Sequence, residues 1–129
     1  MPQVTSIPPA VLVVEDDALV AMEMETRIAA LGCRVIGPAG TLERARDLID
    51  TMRPDAAFLD VNIRGRRVTP IAERLLAEGV PFALVTGYAR LPFDEPALQA
   101  APKLSKPIGD KELAGMLSRM LDRAVEHRP

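Results

Sequence analysis

Polar side chains that could bind a metal ion and a phosphate stand at the ends of four short apolar segments of this sequence. In chain order they are the acids Glu15, Asp16 and Asp17, the acid Asp60, the hydroxyl of Thr86 and the ammonium of Lys106. Carboxylates suit a hard divalent cation such as Mg²⁺, and a lysine can neutralise a phosphoryl oxygen. If the fold brings these groups together, they fit metal-assisted phosphoryl transfer with Asp60 as the acceptor.

Each of these residues also has an ordinary structural explanation. The acids after the first segment could form a solvated turn with one helix-capping carboxylate. Thr86 could be a simple strand residue, and Lys106 a surface lysine before a turn. Asp60 is harder to explain in this way, because a carboxylate at the mouth of a buried strand needs a cation or hydrogen-bond donors. The set as a whole, in order at successive segment ends, favours one shared site.

The elements that must position this site alternate along the chain. Strands are predicted at 10–14, 33–39, 55–61, 81–87 and 103–107. Helices are predicted at 17–32, 41–52, 68–79 and 109–127, with only a short one near 95–99, because three prolines interrupt residues 87–102. This alternation predicts an α/β fold, a doubly wound five-stranded parallel sheet of (βα)5 type. In such a sheet, ligands bind at the carboxyl ends of the strands.

Particular residues predict where the helices begin, end and face the core. Asp17 and Thr41 are the expected N-caps of the first two helices, and Gly32 is the expected stop of the first. Apolar residues repeat at roughly helical spacing in the first helix, at Leu19, Met22, Ile28 and Leu31, and share one face of the second, at Leu42, Ala45, Leu48, Ile49 and Met52.

Length, charge and cysteine content exclude several classes of protein. The chain has 129 residues and a formal net charge of -2, which fits one domain without a basic surface for nucleic acid. The single cysteine, Cys33, is expected to be a buried apolar residue rather than a redox sensor. No apolar run is long enough to span a bilayer. We therefore expect a cytoplasmic protein that binds neither nucleic acid nor membrane, with a flexible leader at 1–9, the domain at 10–126 and a tail at 127–129.

The sequence resembles the receiver domain of two-component response regulators over nearly its whole length. The motifs that carry the resemblance are VLVVEDDALV, FLDVNIRG, PFALVTGY and KLSKPI. It implies a flavodoxin-like, CheY-like fold in which Asp60 is phosphorylated and Thr86 and Lys106 contact the phosphoryl group. The Mg²⁺ site that it implies consists of Glu15, Asp16, Asp60 and the main-chain carbonyl of Asn62.

The resemblance also implies a place in a phosphorelay. Asp60 would take a phosphoryl group from a phosphohistidine of a sensor histidine kinase, and water would later hydrolyse the acyl phosphate. Such a domain catalyses only its own phosphorylation and dephosphorylation and is not classed as an enzyme. With no output domain expected, the chain would signal by protein contact around the fourth helix, fifth strand and last helix, or act as a phosphate sink.

Three departures from the common receiver pattern concern the switch. Lys103 stands where most receivers have an aromatic residue that follows the hydroxyl into a buried position. Gly87 and Tyr88 directly follow Thr86, and no Met-Pro pair follows Asp60. These last two features resemble the FAT GUY subgroup, which has a flexible fourth helix and is linked to HWE/HisKA2 kinases. Tyr88 either screens the acyl phosphate, replaces the missing aromatic or is an exposed loop residue.

Two other classes of protein use similar residues on a parallel sheet. A small aspartate-nucleophile, Mg²⁺-dependent phosphatase needs a second acid two residues after the nucleophile, where this chain has Asn62. A flavodoxin-like electron carrier needs a phosphate-binding loop after the first strand, where the acids would repel a phosphate. The phosphatase is therefore the alternative function, and the electron carrier ranks last.

Overall fold

A computed structural model describes residues 7–88, 90–92 and 94–126. The strands are β1 (Ala10–Val14), β2 (Arg34–Ala39), β3 (Ala56–Asp60), β4 (Asn62–Ile63), β5 (Arg66–Arg67), β6 (Phe82–Thr86) and β7 (Lys103–Ser105). The helices are α1 (Ala18–Ala30), α2 (Leu42–Met52), α3 (Thr69–Ala77), α4 (Pro96–Gln99) and α5 (Asp110–Glu126). Residues 1–6 of the predicted leader and the predicted tail at 127–129 lie outside the described residues. None of the described helices combines the length and the hydrophobicity that a membrane span requires.

The main sheet has five strands in the order β2-β1-β3-β6-β7, and every pairing in it is parallel. The chain moves to one side of β1 to form β2 and then to the other side to form β3. The carboxyl ends of β1 and β3 therefore flank the point where the strand order reverses, and ligands bind at such points in open α/β sheets. The predicted fold class is confirmed.

Apolar side chains pack on both faces of this sheet. Leu12 of β1 belongs to the core beneath α2, α3 and α4, whereas Val11 and Val13 belong to the core beneath α1 and α5. Successive residues of a strand point to opposite faces, so a strand covered on both faces is apolar at every position. This double burial explains the unbroken apolar runs from which the strands were predicted.

The predicted helix ends are confirmed. Asp17 Oδ1 accepts the N–H groups of Leu19 at 3.0 Å and Val20 at 3.1 Å, and so caps α1. Thr41 caps α2 by accepting the N–H of Arg44 at 3.0 Å. After α1, Gly32 has a φ of +89°, a left-handed conformation that favours glycine and ends the helix.

Most of the apolar residues that signalled α1 do not face the core. Leu19, Met22 and Leu31 are 68%, 61% and 45% exposed. The buried residues of this helix are Ala21, Met24 and Ile28. The helix carries two apolar stripes, and hydrophobicity alone does not decide which one meets the sheet. In α2 the shared apolar face is buried except at Met52, which is the last residue of the helix and is 47% exposed.

A short antiparallel hairpin, absent from the prediction, follows β3 directly. Asn62 pairs with Arg67 and Ile63 with Arg66, so a turn of two residues connects β4 to β5. These turn residues, Arg64 and Gly65, have φ values of +51° and +78°. Positive φ at both positions is typical of a type I′ turn, in which Asn, Asp or Gly ordinarily occupies the first position. Because arginine is not among these residues, the turn was hard to predict from the sequence.

Candidate functional site

Three of the predicted acids meet at the edge of the sheet. Carboxylate oxygens of Glu15, Asp16 and Asp60 lie within 4.8 Å of one another. Glu15 and Asp16 directly follow β1, and Asp60 is the last residue of β3. These two strands are adjacent and parallel, so their carboxyl ends lie side by side. The close packing of the acids is thus a direct result of the strand pairing.

Lys106 reaches the same site from the far side of the sheet. It follows β7, and β6 lies between that strand and β3. Its Nζ lies 3.3 Å from Glu15 Oε1 and 3.4 Å from Asp60 Oδ2. Its main-chain N–H donates to the carbonyl of Thr86 at 2.9 Å, which fixes the start of the loop after β7. One ammonium is therefore shared between two carboxylates.

The charges of the side chains at the site are unbalanced. Glu15 is only 5% exposed, and its burial, together with the nearby charge of Asp60, raises its pKa to about 7 despite the Asp17 N–H and the Lys106 ammonium. Burial also disfavours the Lys106 ammonium, but Asp60 and Glu15 outweigh this effect and raise its pKa. The oxygen-only donor set and its excess of negative charge fit a hard divalent cation such as Mg²⁺.

Glu15 is expected to make the metal-free protein less stable as the pH rises. Its folded pKa of about 7 lies above the ordinary value of 4.5, so the folded state binds the proton more tightly than the unfolded state does. The resulting stabilisation is complete below about pH 4.5 and is lost as the pH passes through about 7. Glu15→Gln should therefore flatten the pH dependence and raise the free energy of unfolding at about pH 8, measured by urea denaturation with EDTA.

The matched control for this measurement is Glu25→Gln. Glu25 is exposed on α1, away from the acids, and its replacement should leave the pH profile unchanged. Parallel profiles for the wild type and Glu15→Gln would contradict the prediction.

The hairpin after β3 contacts the acids. Asp16 Oδ2 accepts the main-chain N–H of Arg64 at 2.7 Å. Asn62, whose carbonyl was expected to bind Mg²⁺, is the first residue of β4, just beyond Asp60. The contact of Arg64 was missed from the sequence, because a main-chain donor has no residue type that would signal it.

Thr86 lies at the end of β6, between Asp60 and the strand that precedes Lys106. It is 3% exposed, and its Oγ1 accepts the main-chain N–H of Tyr88 at 3.0 Å. Tyr88 itself is 44% exposed, so its ring is not buried in the place of the missing switch aromatic. The hydroxyl is therefore held in a local turn at the mouth of the sheet.

Lys103, which replaces the aromatic residue common in receivers, binds the end of α4. Its Nζ donates to the carbonyl of Gln99 at 2.9 Å and to that of Ala101 at 2.8 Å. The last carbonyls of a helix have no partner within the helix, and a cation stabilises them. At the other end of α4, Glu95 pairs with Arg67 at 3.0 Å and accepts the hydroxyl of Thr69. Charged contacts thus hold both ends of α4. The contacts of Glu95 were not predicted from the sequence.

Lys103→Met is expected to loosen α4 without unfolding the domain. The substitution keeps an unbranched apolar stem but removes the donor to the Gln99 and Ala101 carbonyls. Amide exchange at Gln99 and Ala100 should become about 3- to 10-fold faster, while the free energy of unfolding changes by less than about 1 kcal/mol. Hydrogen exchange followed by NMR measures the first quantity. Lys111→Met, at an exposed lysine of α5, is the control, and equal exchange in the two variants would contradict the expectation.

Comparisons with known proteins agree with this geometry. Residues 11–118 match the family model of the response regulator receiver domain. SdrG from Sphingomonas melonis, known from a solution structure, is 34% identical, with a TM-score of 0.77 and coverage of 91% of this chain and 99% of that chain. The positive alginate biosynthesis regulatory protein of Pseudomonas aeruginosa is 33% identical over 113 residues, which are 84% of this chain. The transcriptional regulatory protein PdtaR of Mycobacterium tuberculosis is 25% identical over 124 residues.

The chain spans only 60% of the length of PdtaR and 46% of the length of the alginate regulator. With the five-stranded parallel sheet and the acids at the ends of β1 and β3, the matches lead to one assignment. The chain belongs to the response regulator receiver domain family.

Proposed function

We propose that Asp60 of this chain accepts a phosphoryl group from the phosphohistidine of a sensor histidine kinase. The observation that carries the proposal is the position of its carboxylate at the end of β3, with Lys106 Nζ 3.4 Å from Oδ2. Two further carboxylates lie within 4.8 Å. The residues that would hold Mg²⁺ are Glu15, Asp16, Asp60 and, through its main-chain carbonyl, Asn62. When bound, Mg²⁺ supplies positive charge that offsets these acids and the incoming phosphoryl oxygens.

The residues of the chain support an in-line transfer. An Asp60 oxygen attacks phosphorus, the new O–P bond forms as the N–P bond breaks, and the electron pair returns to the imidazole of the kinase. The transition state is loose and needs positioned charge more than proton transfer. Lys106, already beside Asp60, is placed to contact one phosphoryl oxygen. Thr86 can accept the Tyr88 N–H and still donate its own proton to another phosphoryl oxygen, because a hydroxyl does both.

The cheapest test uses acetyl phosphate as a small phosphodonor, with intact-mass spectrometry as the readout. With Mg²⁺ present, the chain should gain the mass of one phosphoryl group, and with EDTA in excess it should gain none. A chain that gains no phosphoryl group in the presence of Mg²⁺ would overturn the proposal. An adduct of equal yield in EDTA would overturn the role assigned to the metal.

We also propose that the kinase is of the HWE/HisKA2 type. Support comes from the FAT GUY features of the chain, namely Gly87 and Tyr88 directly after Thr86, and from the shortness of α4, which has only four residues. Purified kinases of this type, labelled with radioactive phosphate, should transfer to the chain faster than kinases of other types. Equal transfer rates across the panel would contradict this assignment.

The region 10–126 would then act as a switch that catalyses only its own phosphorylation and dephosphorylation. Its output would pass by contact with a partner protein, or it would drain phosphoryl groups from a second regulator. The lifetime of the acyl phosphate separates these roles. A drain requires rapid hydrolysis by the isolated chain, whereas a contact signal requires a phosphorylated state that outlasts the encounter with its partner.

A further inference from the structure

Arg64 has a backbone conformation that arginine rarely adopts. It is the first residue of the β4–β5 turn and has a φ of +51°. In this left-handed region the Cβ atom crowds the backbone, so Asn, Asp or Gly is ordinarily found there. Backbone strain of this kind persists only where other contacts hold it in place.

Two hydrogen bonds hold Arg64 in this conformation. Its main-chain N–H donates to Asp16 Oδ2 at 2.7 Å, and its guanidinium Nε donates to the carbonyl of Gly40 at 3.1 Å. Asp16 lies in the loop after β1, and Gly40 lies in the loop after β2. Arg64 therefore connects the hairpin after β3 with the loops that follow β1 and β2.

The other arginines of the hairpin make contacts of a different kind. Arg66 pairs with Glu43 at 2.7 Å, and Arg67 pairs with Glu95 at 3.0 Å. Neither partner belongs to the acid group at the sheet edge. Arg64, by contrast, donates its main-chain N–H to an acid of that group.

We propose that Arg64 is a positioning residue for the metal site, which acts by fixing the orientation of the Asp16 carboxylate. The inference rests on the proposed function, in which Asp16 is a metal ligand. A carboxylate offers about four lone-pair sites, so the hydrogen bond from Arg64 leaves room for a cation. Asp16 is otherwise exposed and would lose side-chain freedom on binding the metal. A preformed hydrogen bond removes part of that cost before the cation arrives.

The guanidinium group of Arg64 has a role of its own in orienting Asp16. Its bond to the Gly40 carbonyl ties the tip of the hairpin to a second loop, so the Arg64 N–H is held towards Asp16. Removing the guanidinium should therefore weaken metal binding even though the main-chain donor remains.

Arg64→Asn tests whether the guanidinium contributes separately from the main-chain N–H. Arg66→Asn is the matched control. Asparagine adopts the left-handed turn readily and keeps the N–H, so the hairpin should be no less stable than in the wild type. We expect the Kd for Mg²⁺, measured by titration calorimetry, to rise about 3- to 10-fold in Arg64→Asn and to change by less than about twofold in Arg66→Asn. The melting temperature of Arg64→Asn should not fall, which separates positioning from a general loss of structure.

The outcomes distinguish this inference from the function on which it rests. If the wild type itself fails to bind Mg²⁺, the proposed metal site fails. If the wild type binds Mg²⁺ but Arg64→Asn binds it equally well, or if both variants lose affinity to the same extent, the positioning role alone is overturned.

A second measurement examines the hydrogen bond in the metal-free protein. In the wild type, the Arg64 amide should exchange with solvent about 10-fold more slowly than in Asp16→Ala, and its proton resonance should lie further downfield. Equal exchange rates and unchanged resonances in these two proteins would overturn the proposal. Neither readout depends on phosphorylation.

Discussion

Asp60→Asn is expected to abolish the phosphoryl adduct that acetyl phosphate and Mg²⁺ form on the wild-type chain. The substitution keeps the size of the side chain but replaces a carboxylate nucleophile with an amide, which is far less nucleophilic. Glu15 should not replace Asp60, because it is buried and its pKa is raised to about 7. Intact-mass spectrometry under identical conditions measures the loss.

The matched control is Asp17→Asn. Asp17 belongs to the same acidic run, but its carboxylate caps α1, and asparagine is an equally good N-cap. This variant should therefore fold normally and acquire the phosphoryl group. An adduct on Asp60→Asn would refute the assignment of the acceptor, and failure of both variants would point to lost acidic charge instead.

Lys106→Met should slow phosphorylation by acetyl phosphate by about 10²- to 10³-fold, the effect of removing one positioned donor from a developing charge. Methionine preserves most of the apolar stem and removes only the ammonium, which lies 3.3 Å from Glu15 and 3.4 Å from Asp60. A time course of the intact mass gives the rate. The wild-type rate in Lys106→Met would rule out a role for this ammonium in the transfer.

A measurement of Mg²⁺ binding distinguishes two reasons for slow phosphorylation of Lys106→Met, namely weaker metal binding and a lost contact with the phosphoryl group. Removing a positive charge from beside the acids should leave the Mg²⁺ affinity unchanged or increase it, since the ammonium and the cation compete for the same carboxylates. A slower reaction with intact metal binding would place the effect on the phosphoryl group. Lys111→Met, on the exposed side of α5, should change neither the rate nor the affinity by more than about twofold.

Much of the fold was predictable because local signals and the global pattern agreed. The runs at β1 and β3 are apolar at nearly every position since both faces of the sheet are covered. Asp17 and Thr41 predicted helix starts because capping depends on the residue itself and its near neighbours. The exposed stripe of Leu19 and Met22 was not predictable, because the choice between two apolar faces of α1 is made by packing against β1 and β2.

The functional site, like the fold, could be predicted from the sequence only in part. Convergence of Glu15, Asp60 and Lys106 could be predicted, since the carboxyl ends of parallel strands meet at one edge. The raised pKa of Glu15 could not, because it depends on how deeply the carboxylate is buried. Likewise, the bond from Arg64 to Asp16 uses a main-chain donor in a turn of unusual sequence, which leaves no trace in the residue type.

The turn that joins Thr86 to Tyr88 gives this protein a built-in optical reporter. The chain contains one tyrosine and no tryptophan, so near-ultraviolet absorption and emission arise chiefly from a single ring. That ring is 44% exposed, and the main-chain N–H of the same residue is bonded to the Thr86 hydroxyl. A shift of this hydroxyl towards a phosphoryl group would change the hydrogen bond to the Tyr88 N–H and, through it, the surroundings of the ring. Tyrosine emission and its quenching by iodide can therefore test for such a shift on phosphorylation in the unlabelled protein.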